Sequence, residues 1–173
     1  MKNVVLIGFM GTGKTRVGQI IARRLGYEFV DTDDLIVRRA GMPISEIFAK
    51  FGEPHFRDIE QQIVAEVSAR ESQVIATGGG APIRQENVQN LRSSGVLFCL
   101  NANPETIEKR TARDNSRPLL HTNDRLRQIR ELLEYRKQFY AAADYQIETS
   151  NQTARRVAEQ IIELYKSHVK NQG

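Results

Sequence analysis

The chain has 173 residues, enough for one domain with a sizeable core, and it is read as a single domain over 1–173. Lys and Arg outnumber Asp and Glu by 25 to 21, and the net charge of +4 suits anionic small molecules. With no Trp and no basic run interleaved with aromatics, nucleic acid is not the expected partner; one cysteine rules out an internal disulfide, and no apolar run approaches the roughly 18 residues of a membrane span.

Val4–Ile7 are continuously apolar, the pattern of a strand buried on both faces, expected over Val4–Gly8. "GFMGTGKT", Gly8–Thr15, follows and fits G-x-x-x-x-G-K-[ST]. Its glycines let the backbone turn tightly and aim N–H groups at a polyanion, helped by the positive end of the helix expected over 14–25. In such a loop Lys14 reaches the β- and γ-phosphates and the Thr15 hydroxyl serves Mg²⁺. "MKNVVLIGFMG" reads superficially as the front of a secretory signal, but cleavage there would destroy the phosphate loop. A reducing, cytoplasmic setting is expected.

A strand over Glu28–Asp31 leads into "DTDD". Three carboxylates within four residues repel unless cations or hydroxyl donors compensate. Asp31 is the candidate to hold a water on Mg²⁺, and Asp33 the candidate to accept hydrogen bonds from substrate hydroxyls. Asp34 is the expected cap of the helix over 33–40. The next helix, 44–69, carries "GEPHFRDIE", in which Glu53, Arg57 and Glu60 share one face. That spacing suits either a surface ion-pair ladder or an arginine fork for a substrate carboxylate, oriented by a neighbouring acid.

A strand over Val74–Ala76 runs into "TGGGAP", where three glycines bring bare backbone close to something. A second nucleotide motif normally ends such a strand in Asp to serve the metal; none stands here, so Asp31 must supply that role. A helix over 85–93 precedes the strand Val96–Leu100, whose Cys99 is expected to be inert core. Asn103 caps and Pro104 begins a helix over 104–112. "RTARDNSRPLL", with Arg110, Arg113 and Arg117, suits a lid over phosphates, one arginine stabilising charge on the transferring group. A helix over 124–142 contains Arg136, which has no signal of its own. A strand over Tyr145–Glu148 and an amphipathic helix over 153–168 complete the chain. His55, His121 and His168 lack metal spacing and read as surface or packing residues. The alternation argues for an α/β fold with a mostly parallel sheet covered on both faces, its ligands beyond the carboxyl ends of the strands.

"GFMGTGKT", "DTD", "GEPHFRDIE", "TGGG" and "RPLL", in this order from Gly8 to about Gln152, resemble the shikimate kinases. The resemblance implies a three-layer, P-loop, nucleoside-monophosphate-kinase-like fold with a five-stranded parallel sheet in the order 2-3-1-4-5. It implies a phosphate loop at 8–15, a substrate-binding segment at about 31–60 and a lid at about 111–124. The implied activity is transfer of the ATP γ-phosphoryl group to the 3-hydroxyl of shikimate, with Mg²⁺ as cofactor; the compact, fairly polar chain itself points to a monomer. Carried over by position, Gly11, Thr12, Gly13, Lys14, Thr15 and Arg16 with Arg110, Arg117 and Gln152 bind ATP. Asp33, Arg57, Gly78, Gly79, Gly80 and Arg136 bind shikimate, the two arginines through its carboxylate. Thr15 and Asp31 serve the metal, and Lys14, Asp33 and Arg117 carry the chemistry. The chain departs from the family pattern at Thr15, where Ser is usual but a hydroxyl is kept, and at Arg16, where a small polar residue is common.

Two alternatives remain. A gluconate or nucleoside monophosphate kinase shares the size, but the first should lack R-x-x-E after G-E and the second needs arginines for another phosphate. A non-catalytic sensor of ATP or shikimate should have lost at least one of Lys14, Asp31, Asp33 and Arg117.

Overall fold

The apolar segments pair into one parallel sheet: β1 (Asn3–Gly8), β2 (Glu28–Asp31), β3 (Gln73–Ala76), β4 (Gly95–Asn101) and β5 (Tyr145–Glu148), in the order β2-β3-β1-β4-β5. This computed structural model describes residues 2–112 and 124–171. The helices are α1 (Lys14–Leu25), α2 (Thr32–Ala40), α3 (Ile44–Ser68), α4 (Gln85–Ser94), α5 (Pro104–Thr111), α6 (Arg125–Tyr140) and α7 (Ala154–Lys170). The expected lid falls almost wholly outside the described residues, as do Arg113, Arg117 and His121 within it.

Side-chain alternation along β1 divides the core into two layers. Val5 and Ile7 pack with Ile36 of α2, Ile63 of α3, Leu91 of α4, Ile107 of α5 and Ile129 of α6. Val4 and Leu6 pack with Val17 and Ile21 of α1 and Ile161 of α7. Both faces are covered, which is why the central strands read as unbroken apolar runs rather than alternating ones. Cys99 lies inside this core, its thiol pushed up to about 12 by burial, against the opposing field of Lys14. It is inert, as its strand position suggests.

The connection from β1 runs toward β2 and that from β4 toward β5, on opposite sides. The crevice between their carboxyl ends is therefore the place for a ligand. No helix among the described residues is long and apolar enough to cross a membrane.

Two local features differ from the sequence reading. Asp31, not Asp34, caps α2: its Oδ1 accepts the Asp33 N–H at 3.0 Å. Strand and helix meet with no linker residue, so the last residue of β2 takes the cap position. The helix expected over 44–69 is broken within α3 at Gly52, whose φ of 81° is left-handed, and Pro54 follows. Pro54 has no N–H to continue the ladder, so the chain is re-aimed between Phe51 and Glu53.

Candidate active site

The phosphate loop joins β1 to α1, with positive φ at Gly8, Gly11 and Gly13. Lys14 Nζ donates to the Gly8 and Phe9 carbonyls at 2.7 and 2.9 Å, and the Thr12 hydroxyl to the Phe9 carbonyl at 2.8 Å. The lysine thus arches back over its own loop. One residue on, the Thr15 hydroxyl donates to Asp31 Oδ2 at 2.9 Å. Asp31 therefore does two jobs, capping α2 with one oxygen and reaching the phosphate loop with the other. Burial, then the Asp33 charge, raises its pKa above the ordinary carboxylate value, and the Thr15 hydroxyl opposes the rise. A hydroxyl beside a carboxylate is a hard-oxygen donor set that fits Mg²⁺, a metal that completes its shell with phosphate and water. Among the described residues no group of three or more His, Cys, Asp or Glu could hold a metal.

Beside the loop opens a cleft with about 400 Å³ of empty space, and it brings together all six expected substrate residues: Asp33, Arg57, Gly78, Gly79, Gly80 and Arg136. The surface-ladder reading of α3 is overturned. Arg57 is only 8% exposed and Glu60 0%, and Arg57 donates to Glu60 Oε2 at 2.7 Å and to Glu53 Oε1 at 3.1 Å. Its guanidinium also lies 5.1 Å from the Phe56 ring centroid. Burial works against the Arg57 charge, but the Glu60 and Glu53 carboxylates together outweigh it and the net pKa stands above normal. Burial raises Glu60, and Arg57 opposes it. The second arginine, Arg136 of α6, is 3% exposed and lies over the Phe9 ring at 5.3 Å.

The three glycines have one purpose each. A β-carbon on Gly78 would stand 2.7 Å from Asp33 Oδ1 and 3.0 Å from Glu60 Oε1. One on Gly79 would stand 3.2 Å from Arg136 Nη1, and one on Gly80 would stand 2.5 Å from Arg57 Nη1 and 2.6 Å from its Cζ. Every charged side chain of the cleft leans on bare backbone. The segment is held by the Gly78 N–H donating to the Thr32 hydroxyl at 3.2 Å and the Tyr140 hydroxyl donating to the Gly79 carbonyl at 2.7 Å.

On the other side of the loop a second cleft is lined by Thr12, Gly13, Arg16, Arg110, Thr149 and Gln152, among others. Arg110 donates to the Gly11 carbonyl at 3.2 Å and to the Thr149 carbonyl at 3.0 Å. The Thr149 hydroxyl lies 3.2 Å from the Thr12 carbonyl and 2.9 Å from that of Asn101. Loop, β4 and the segment after β5 are thereby knotted together. Arg117 lies outside the described residues. His55 packs on Phe51, ring centroids 4.9 Å apart, and His168 Nδ1 meets the Tyr145 hydroxyl at 3.1 Å.

Sequence reasoning missed Phe9, Met10, Phe48 and Phe56, which wall or underlie the first cleft, and Thr32, Tyr140 and Thr149, which brace it and its neighbour. Phe9 and Met10 lie inside the phosphate loop, Thr32 inside DTD and Phe56 inside GEPHFRDIE, so these four stood within motifs but without a role of their own, whereas Phe48, Tyr140 and Thr149 carried no signal.

Comparison with known proteins gives a consistent result. The family profile described as shikimate kinase matches residues 10–166. A shikimate kinase of Thermodesulfovibrio yellowstonii is 49% identical over 95% of this chain and 95% of its own, and one of Caldanaerobacter subterraneus is 47% identical over 95% and 96%. Among solved structures, shikimate kinase from Acinetobacter baumannii in complex with shikimate superposes with a TM-score of 0.94 at 40% identity, covering 97% of this chain and 94% of that one. The Aquifex aeolicus shikimate kinase gives 0.85 at 30% identity, covering 96% and 98%. Matched nearly end to end in both sequence and structure, the chain belongs to the shikimate kinase family.

Proposed function

We propose that the chain transfers the γ-phosphoryl group of ATP to the 3-hydroxyl of shikimate, giving shikimate 3-phosphate and ADP on the way to chorismate and the aromatic amino acids. The observation that carries this reading is the convergence of Arg57, Arg136 and Asp33 in one cleft beside Lys14. Shikimate offers one carboxylate and three hydroxyls. Two buried guanidiniums and one carboxylate are the complementary set.

In the reaction the 3-oxygen bonds to the γ-phosphorus as the bond to the bridging oxygen of ADP breaks. The hydroxyl proton passes to Asp33. Arg57 and Arg136 fix the carboxylate end of the ring, so the 3-hydroxyl is aimed from the far side. Lys14 leaves its loop carbonyls for the phosphates, and Arg117 neutralises charge on the transferring group. Thr15 and Asp31 would hold Mg²⁺, which supplies further neutralisation of phosphate charge when bound. Phosphoryl transfer has a loose transition state, so alignment outweighs base strength. Arg110 and Gln152 flank the adenine. The same reading makes the enzyme a cytoplasmic monomer whose partners are shikimate and ATP, not nucleic acid or membrane.

The test is ADP release from Mg-ATP with shikimate, gluconate, each common nucleoside monophosphate, or nothing added. Stimulation by shikimate alone is the expected outcome. Stimulation by another acceptor overturns the roles of Arg57 and Arg136, and ATP binding without stimulation by any acceptor turns the chain into a sensor. Asp33→Asn is expected to lower kcat about a hundredfold, at the low end of what a positioned acid–base group contributes, while circular dichroism shows an unchanged fold. Near-normal turnover in that variant removes Asp33 from the chemistry.

A further inference from the structure

The two arginines of the acceptor cleft are held in different ways. Arg57 is gripped by two acids, Glu60 at 2.7 Å and Glu53 at 3.1 Å. Arg136 is as deeply buried, yet its Nε and Nη1 have no hydrogen-bond partner among the described residues. The Tyr140 hydroxyl, which donates to the Gly79 carbonyl, is the polar neighbour of Arg136 and accepts from it, but it carries no charge and leaves the face of the guanidinium open. What lies against the Arg136 guanidinium is the face of Phe9, 5.3 Å from the ring centroid. An aromatic face attracts a cation through its quadrupole, and more so where water is excluded. Phe9 is 1% exposed, so the ring cannot swing away to solvent.

Phe9 also has a second engagement. It is the second residue of the phosphate loop, and its carbonyl accepts from Lys14 Nζ and from the Thr12 hydroxyl. Its backbone serves the nucleotide side and its ring the acceptor side. A side-chain substitution spares the carbonyl, so the two engagements are separable by experiment.

We propose that Phe9 is a positioning residue for the acceptor: its ring holds the Arg136 guanidinium in place to receive the substrate carboxylate. Two acids already offset the charge of Arg57, so the net positive charge that draws an anion into the cleft rests on Arg136, and an aromatic face steadies that cation while leaving its charge available. The inference rests on the reading of Arg136 as a shikimate anchor, and the experiment separates the two.

Initial rates of the full chain are measured with shikimate and ATP each varied, for wild type, Phe9→Leu, Arg136→Met and the double variant. Leucine keeps the apolar bulk and loses the π face. The expected result for Phe9→Leu is a KM for shikimate raised about five- to twentyfold, with the KM for ATP within about twofold of wild type. In the Arg136→Met background Phe9→Leu is expected to change kcat/KM for shikimate by less than about twofold, because the group it acts through is gone. An unchanged KM for shikimate overturns the proposal. So does a parallel rise in the KM for ATP, which marks a loop that has merely lost its packing, and so does an undiminished effect in the Arg136→Met background. If Arg136→Met itself leaves the KM for shikimate unchanged, the acceptor-site reading falls. If that variant raises KM and Phe9→Leu does not, only the Phe9 role falls. Should Phe9→Leu lose its thermal transition, Phe9→Met, flexible enough to refill the space, is read by the same criteria.

Discussion

Arg57→Ala is expected to lower kcat/KM for shikimate by about a hundred- to ten-thousandfold while ADP binds within about threefold of its wild-type affinity. The magnitude follows from losing one partner of a buried, hydrogen-bonded charge pair, about 3–5 kcal/mol. The selectivity follows from placement, since Arg57 lines the acceptor cleft and not the one that Arg110 and Gln152 share. Rate measurements with shikimate varied, beside calorimetry with ADP, separate the two; loss of ADP binding to the same degree would remove Arg57 from the acceptor site. The variant is also expected to be less stable, because Glu60 remains at 0% exposure without its cation. The pH dependence of that deficit has a definite sign. Burial raises Glu60 in the folded state, and removing Arg57 takes away the main opposing influence. A carboxyl whose folded pKa is above its unfolded value of about 4.3 contributes stability below that value and loses it as pH rises through the folded pKa. The gap in melting temperature between variant and wild type is therefore smallest in acid and widens toward neutrality.

Gly80→Ala is expected to come close to the same loss without touching a charged group. The added β-carbon would stand 2.6 Å from Arg57 Cζ, and the guanidinium has nowhere to retreat, with Glu60 and Glu53 on its nitrogens and Phe56 against its face. A displacement of about 1 Å in an aligned site costs on the order of a hundredfold in rate. The neighbours grade the effect. Gly78→Ala meets Asp33 at 2.7 Å and is expected to fall between, while Gly79→Ala meets nothing nearer than Arg136 Nη1 at 3.2 Å, with the Gly8 carbonyl and Met10 N at 3.4 Å, and is expected to be mildest. Rates of the three variants at saturating ATP check the order 80, 78, 79, and a Gly80→Ala enzyme with normal kcat/KM would contradict the close approach of Arg57 to that backbone.

What could be read from the sequence was what is local. The phosphate loop is contiguous, its helix starts inside it, and the strand before it is an unbroken apolar run, so loop, strand and helix were legible together. Arg57 was half legible: its spacing to Glu53 and Glu60 showed a shared face but not whether that face meets water or cleft. Burial settles it, and burial belongs to the packing of α3 beside the segment after β3. Arg136 had no local signal, because its setting depends on α6 reaching a loop at the other end of the chain. The helix cap was assigned to Asp34 on the assumption that strand and helix are separated; they abut, and Asp31 takes the role. The break at Gly52 was within reach, since Gly-Glu-Pro is poor helix sequence, but the apolar periodicity on either side masked it.

That break divides the labour of α3. Before Gly52 the helix supplies Ile44 and Phe48, the apolar wall of the cleft; after it come Arg57 and Glu60, the pair proposed to hold the substrate carboxylate. The two halves are aimed independently, so residues of the first can be exchanged without turning the second. Over evolutionary time such a hinge lets the shape of the accepted ring drift while the anchor for its acid group stays fixed. A lineage seeking a new hydroxy acid to phosphorylate would have the first eight residues of α3 to experiment with, and no need to rebuild the rest.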